Sequence, residues 1–345
     1  MEPIIGNNAP AIQVVAARTY QEVSVPRPLD AAAPDPNESA VQLHDVVADP
    51  QEYLPAPLHL LPPPRHFVED ALEYIFGFMN GVHDEQTLDS IWIRSDTPYR
   101  IEISLRMLKD TLFVTSASLH PECFNLAVRK LASAEVERHA GTNMVGGKHY
   151  FDLQFHAQSR ALRYSWMPQG QRTSTLINNA VVQPFPRYDV FNSTIYLLPL
   201  SIPDSSYGLL VVNRMRRRVI VFNPSLDVRQ VGNSTHNKEM MKEITILKQE
   251  LNEVLQARVL GWNTELMDWR QDNMSFNFRR KDSGFLVLQE MAHQLGSLRS
   301  MTWMNTTDPI MLRSQVVVQM LMVKDNLAAG NIPQEITAAL RVLNT

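Results

Sequence analysis

The chain has 345 residues, 44% of them hydrophobic and 20% charged, with a formal net charge of −4. That length supplies one large domain or two small ones with a buried core, and the charge balance gives no electrostatic case for nucleic acid or an anionic membrane as partner. Cys123 is the only cysteine, which excludes an intramolecular disulfide, and no apolar run approaches the ~20 residues that span a bilayer.

In chain order, Met1-Glu2-Pro3-Ile4-Ile5 lacks the basic-then-apolar pattern of a secretory leader, so the expectation is an intracellular protein. Twelve of the 22 prolines fall within residues 1–64, including the run Pro62-Pro63-Pro64. Each proline removes a backbone donor and biases its predecessor toward extended geometry, so residues 1–65 are expected to form a largely disordered arm. The folded domain is expected over 66–300, with a C-terminal helical extension at 301–345. Phe67, Leu72, Tyr74, Ile75, Phe76 and Phe78 predict a short helix closing near Gly81. A second helix is predicted over 116–131, where Leu119, Phe124, Leu126, Ala127 and Leu131 recur at helical spacing and Pro121 suits a first turn.

A β-rich middle follows at 195–198, 209–213 and 219–222. The last two runs are apolar on both faces, as in strands covered on both sides, and their Arg-rich link is short enough for an antiparallel hairpin. Residues 238–260 predict one long amphipathic helix with Met241, Ile244, Leu247, Leu251, Val254 and Leu255 as its stripe and Gly261 as its end. Further helices are predicted from Ser283, over 310–324 and over 334–343.

Lys281-Asp282-Ser283-Gly284, followed by Phe285-Leu286-Val287-Leu288, has the form of a nucleophile-bearing helix start, Asp-Cys-Gly before an apolar run, with serine in the place of cysteine. Upstream, Ser206-Tyr207 opens an apolar run, a basic link follows, and a second run ends in Asn223-Pro224-Ser225. This order of residues resembles the ubiquitin-like protease family, which includes the SUMO-specific cysteine proteases and many plant relatives. In that family the segment reads as an apolar strand, His-Trp, a second strand, a basic turn and a strand ending in Asp-Ser. Gapless matching sets Ser206 at the His, Tyr207 at the Trp and Asn223 at the Asp, 17 residues from Ser206. The family's Gln lies six residues before its Asp-Cys-Gly cysteine, a count that reaches Asn277 from Ser283. The likeness covers roughly residues 85–300, and Ile91-Trp92-Ile93 through Leu131 is similar to the leading strand and helix of plant members.

The resemblance implies an α+β, papain-like cysteine protease fold with a central mixed sheet flanked by helices. It also implies a degenerate catalytic triad at Ser206, Asn223 and Ser283, with Asn277 at the oxyanion position. The chemistry needs a thiol ionised with the help of a helix dipole and an imidazole, and a carboxylate that orients that imidazole. A Ser206 hydroxyl cannot accept a proton near neutral pH, Asn223 cannot balance an imidazolium charge, and the Ser283 hydroxyl is far less acidic than a thiol. Loss of a nucleophile or base costs on the order of 10⁴ to 10⁶ in rate. The expectation is a pseudoprotease that binds a ubiquitin-like, SUMO-like modifier or a modified protein, with Tyr207, Trp269, Arg279 and Arg280 as binding residues. No cofactor, metal, nucleic acid or membrane is expected. Two alternatives stay open: an active cysteine-type peptidase in protein de-modification, and a non-functional copy derived from a mobile element.

Other clusters have plainer readings. Cys123 and His120 sit at i, i+3, and the cysteine reads as a small core residue. The glycine-rich 141–148 stretch fails the phosphate-loop pattern and reads as a solvated turn, while His149 and His156 have no cysteine partners for a zinc site. Arg214, Arg216, Arg217 and Arg218 read as a solvated hairpin edge. His293 lies ten residues along the helix from Ser283, about 15 Å away, while His236 stands at the entry to another helix.

Overall fold

A computed structural model describes residues 66–138, 147–182, 190–202, 206–225, 235–276, 278–293 and 309–343. The expected arm at 1–65 lies outside the described residues, as do Asn277 and residues 226–234. The described chain begins with α1 (His66–Gly81), α2 (Glu85–Leu88), an antiparallel hairpin of β1 (Ile91–Ser95) and β2 (Ile101–Ser104), then α3 (Leu105–Phe113) and α4 (Pro121–Arg138). Asp84 and Ser104 cap α2 and α3 by accepting the Thr87 and Met107 N–H groups, which the helices themselves leave without partners. α4 starts five residues later than the sequence predicts, at Pro121, and runs on to Arg138. Proline has no N–H to lose in a first turn, and the first helical bond, Phe124 N–H to His120 O at 2.9 Å, falls just beyond it.

β3 (Lys148–Tyr150), α5 (Leu153–Arg163) and α6 (Gln169–Leu176) lead to the central strands β4 (Ile195–Ile202), β5 (Ser206–Asn213) and β6 (Arg218–Asn223). α7 (Thr235–Arg258) then leads to β7 (Arg270–Ser275), with Gly261 at φ +77° turning the chain after the helix. The five strands form one mixed sheet in the order β3-β4-β5-β6-β7. β4, β5 and β6 pair antiparallel, as the short Arg-rich link requires, whereas β3 is parallel to β4 and β7 to β6. A parallel partner needs a crossover, and α5–α6 and α7 supply the two here. β3 is buried at all three positions, and Glu135 of α4 accepts the Lys148 N–H at 3.1 Å. The solvated turn expected through Lys148 is therefore corrected at 147–148: pairing and the α4 cover draw this edge inward.

Every residue of β5 is buried, and alternation divides them between two apolar layers. Tyr207, Leu209 and Val211 join Phe222, Trp92 and Phe124 on one face. Leu210 and Val212 join Val219, Val221, Tyr196 and the α7 stripe of Ile244, Leu247 and Leu251 on the other. The first face is completed by α8 (Ser283–His293), α9 (Pro309–Leu321) and α10 (Gln334–Leu343), which contribute Phe285, Val317 and Ile336. Helices thus cover both faces of the sheet. No helix among the described residues is long and apolar enough to cross a membrane.

Candidate functional site

β5 begins at Ser206 and its antiparallel neighbour β6 ends at Asn223, so the register Leu209↔Phe222 brings both to one end of the sheet. α8 begins at the same place. Its first residue, Ser283, accepts the Tyr207 N–H on Oγ at 2.8 Å and donates its own hydrogen to Arg280 O at 2.5 Å. This pairing stitches a helix start to the first turn of a strand, and losing it would leave a buried N–H without an acceptor, a penalty of about 1–3 kcal/mol. Gly284 makes the approach feasible: a Cβ there would stand 3.1 Å from Leu119 Cβ and from the Tyr207 ring. Tyr207 stacks on Phe124 at 4.9 Å and donates its hydroxyl to Leu119 O at 2.5 Å, and burial pushes its phenol above the ordinary range.

The three positions share one end of the sheet. Tyr207 packs toward α4 and α8, so alternation turns Ser206 toward the α7 layer, and Asn223 follows Val221 to that same layer. Ser283 meets the β5 backbone itself, at the Tyr207 N–H. All three are buried, at 0%, 3% and 0% exposure. Asn223 Oδ1 accepts from the Ser225 N–H at 3.1 Å and from Ser225 Oγ at 3.2 Å, and that hydroxyl lies 3.4 Å from His236 Nε2 at the start of α7. A histidine therefore does reach the Asn223 position, from a helix and through an intervening serine.

A residue the sequence reading passed over anchors the corner. Arg313, 1% exposed, donates from Nη1 to Thr111 O at 3.1 Å and Val114 O at 3.3 Å. Its Nη2 donates to Ala117 O at 3.0 Å and to Asp282 Oδ1 at 2.9 Å. The other Asp282 oxygen accepts from Arg279 at 2.7 Å, and the Arg313 guanidinium lies 4.5 Å from the Phe285 ring centre. The Asp282 carboxylate also meets the positive end of α8. The available signal was Arg313 itself, a lone cation in the apolar run Ile310-Met311-Leu312 to Val316-Val317-Val318.

Arg279 and Arg280 are exposed beside this corner. Trp269 is not there: it precedes β7 at the opposite end of the sheet, six residues or about 20 Å from Ser275. Tyr207 is a core side chain at 2% exposure. Cys123 is fully buried, and burial pushes its thiol up to about 12, which keeps it protonated and unreactive near neutral pH. His120 Nδ1 accepts the Glu122 N–H at 3.3 Å. His149 packs edge-on against Phe151 at 4.3 Å, and His156 Nε2 lies 3.0 Å from Glu243.

A mixed sheet with its central strands covered on both faces, and a helix start set against the second strand, defines a class that solved structures share. SUMO protease Ulp1, in a form with its catalytic cysteine oxidised to a sulfenic acid, aligns over 76% of this chain and 97% of its own at TM-score 0.51 and 13% identity. The catalytic domain of the Chaetomium thermophilum Ulp1-like SUMO protease aligns over 76% and 91%, at TM-score 0.50 and 15% identity. The fold is the α+β, papain-like cysteine protease fold of the ubiquitin-like protease family. No protein-family model and no curated protein matches the sequence.

Proposed function

We propose that this chain is a degenerate member of the ubiquitin-like protease family that binds a ubiquitin-like modifier, or a protein carrying one, without cleaving it. The observation that carries the reading is the meeting of Ser283 and the Ser206–Tyr207 backbone at one end of the sheet, with Asn223 ending the neighbouring strand. In the family the resemblance names, those positions belong to a cysteine, a histidine and an aspartate. Here all three side chains are uncharged, and the Ser283 hydrogen is held by the Arg280 carbonyl rather than by a base. Proton transfer of the family's kind has no acceptor at Ser206. Arg279, which also pairs with Asp282, and Arg280 are exposed beside the corner, a basic edge that suits an acidic partner surface.

The neighbours by fold are SUMO proteases, which makes SUMO the first modifier to try. Titrating isotope-labelled SUMO with the purified protein is expected to give saturable shifts, weakened by Arg280→Glu, whose substitution leaves the backbone carbonyl that Ser283 uses in place. An absence of shifts up to high micromolar protein, for SUMO and for ubiquitin alike, overturns the binding claim.

A further inference from the structure

At the far end of the sheet from Ser206, the β5–β6 turn and the loop joining α7 to β7 enclose a cavity of about 390 Å³. Trp262 and Trp269 wall it with ring centres 5.7 Å apart and planes tilted by 41°. Thr194, Arg214, Arg217, Asn263 and Thr264 supply the polar lining, and no acidic side chain is among the lining residues. We propose that this cavity binds a small aromatic phosphate of mononucleotide size, its ring against the tryptophans and its phosphate on the two arginines.

Four features support that occupant. Arg217 holds a left-handed backbone at φ +46°, a conformation that glycine or asparagine adopts with less strain, yet the turn carries an arginine there. Its side chain is exposed, with no carboxylate partner among the described residues. Arg214 is fixed from one side, Nη1 donating to Phe191 O at 2.5 Å and Ser193 O at 3.3 Å while its guanidinium lies 5.5 Å from the Trp262 ring centre. Its other guanidinium nitrogens have no acceptor among the described residues.

The acids nearest in sequence face elsewhere. Glu265 accepts from Asn252 at 2.5 Å and from Gln256 at 2.7 Å on α7. Asp268 acts on Lys248, and Asp272 pairs with Arg218 and Arg270. A field of one sign with two indole faces suits a flat anion, guanidinium forks match phosphate oxygens, and the volume lies within the range of small-molecule sites. A solvated hairpin edge, the reading from sequence alone, gives no role to the two indole faces set beside Arg214 and Arg217.

Calorimetric titration of the full chain with AMP, phenyl phosphate, adenosine and inorganic phosphate tests the proposal. AMP or phenyl phosphate is expected to bind, and the preferred one identifies a nucleotide or a simple aryl phosphate as the source. Adenosine and inorganic phosphate are each expected to bind more weakly. Arg217→Gly, which suits the backbone and so keeps the fold, is expected to weaken the phosphate ligand by about tenfold or more. Trp269→Ala is expected to erase the advantage over inorganic phosphate. No binding by either aromatic phosphate at millimolar concentration, equal binding of adenosine and AMP, or unchanged affinity in Arg217→Gly each overturns it.

Discussion

Asp282→Ala is expected to lower the stability of the fold by about 3–5 kcal/mol, because it leaves the Arg313 guanidinium buried without its anion. The effect extends beyond one ion pair. Arg313 ties Thr111 and Val114 at the end of α3 and the Ala117 carbonyl to the start of α8, so one cation holds three separate segments. Asp282→Asn keeps an acceptor oxygen and is expected to lose less. Arg279→Ala removes only the exposed side of the arrangement and is expected to cost less than about 1 kcal/mol. Urea midpoints for the three variants measure this directly. An Asp282→Ala midpoint indistinguishable from that of Arg279→Ala contradicts the assignment of Arg313 as anchor.

Acid is expected to unfold the protein through its buried imidazoles. His149 is fully buried on β3, edge-on to Phe151 and Tyr196, and burial pushes its pKa down to about 3 from an ordinary 6.5. His156 moves the same way, burial outweighing the opposing pull of Glu243. Both are neutral in the fold and take up protons in the unfolded chain as the pH falls through the ordinary histidine range. The unfolded state then binds more protons, so stability rises with pH, is fully present above about 6.5, and is lost toward the folded values. For His149 alone the loss at pH 5 is about 2 kcal/mol. Asp152 and Glu250, whose carboxyl groups burial raises, contribute with the opposite sign further into the carboxylate range. Comparing urea midpoints at pH 7.5 and pH 5 is expected to show that His149→Phe loses about 2 kcal/mol less than the unmodified chain. An equal loss in both contradicts this account of His149.

Much of the scaffold is legible in the residue pattern, and the exceptions share a physical cause. α7, α9 and α10 begin and end within three residues of their predicted limits and α8 begins at its predicted start, since amphipathic stripes, Gly261 and Pro333 mark them. β5 and β6 announce themselves as continuous apolar runs. β7 does not. Its Arg-Gln-Asp-Asn-Met-Ser carries no apolar alternation, and the strand exists through its register with β6 and the Arg218–Asp272 ion pair. β3 is three residues long and is defined by its neighbours. Strand class for such segments is a property of the partner rather than of their own side chains.

The site divides in the same way. Spacing along the chain brought Ser206, Asn223 and Ser283 into one hypothesis, and they do share one end of the sheet. Spacing could not say that Ser206 and Asn223 face the α7 layer while Ser283 bonds the β5 backbone, because that follows from alternation and pairing read in three dimensions. Trp269 is near Asn277 in sequence but belongs to the opposite end, for a whole strand separates it from the corner. The Asp282–Arg313 pair links positions 31 residues apart, a distance no local pattern spans.

Inertness at the corner is the claim on which the functional reading stands. Its most direct test is intact-mass analysis of the full chain after incubation with SUMO bearing an electrophilic C-terminus, with an active SUMO protease treated in parallel. The expected result is complete modification of the protease and an unchanged mass for this chain. A covalent adduct at Ser283, Ser206 or Cys123 contradicts the account and makes the protein an enzyme.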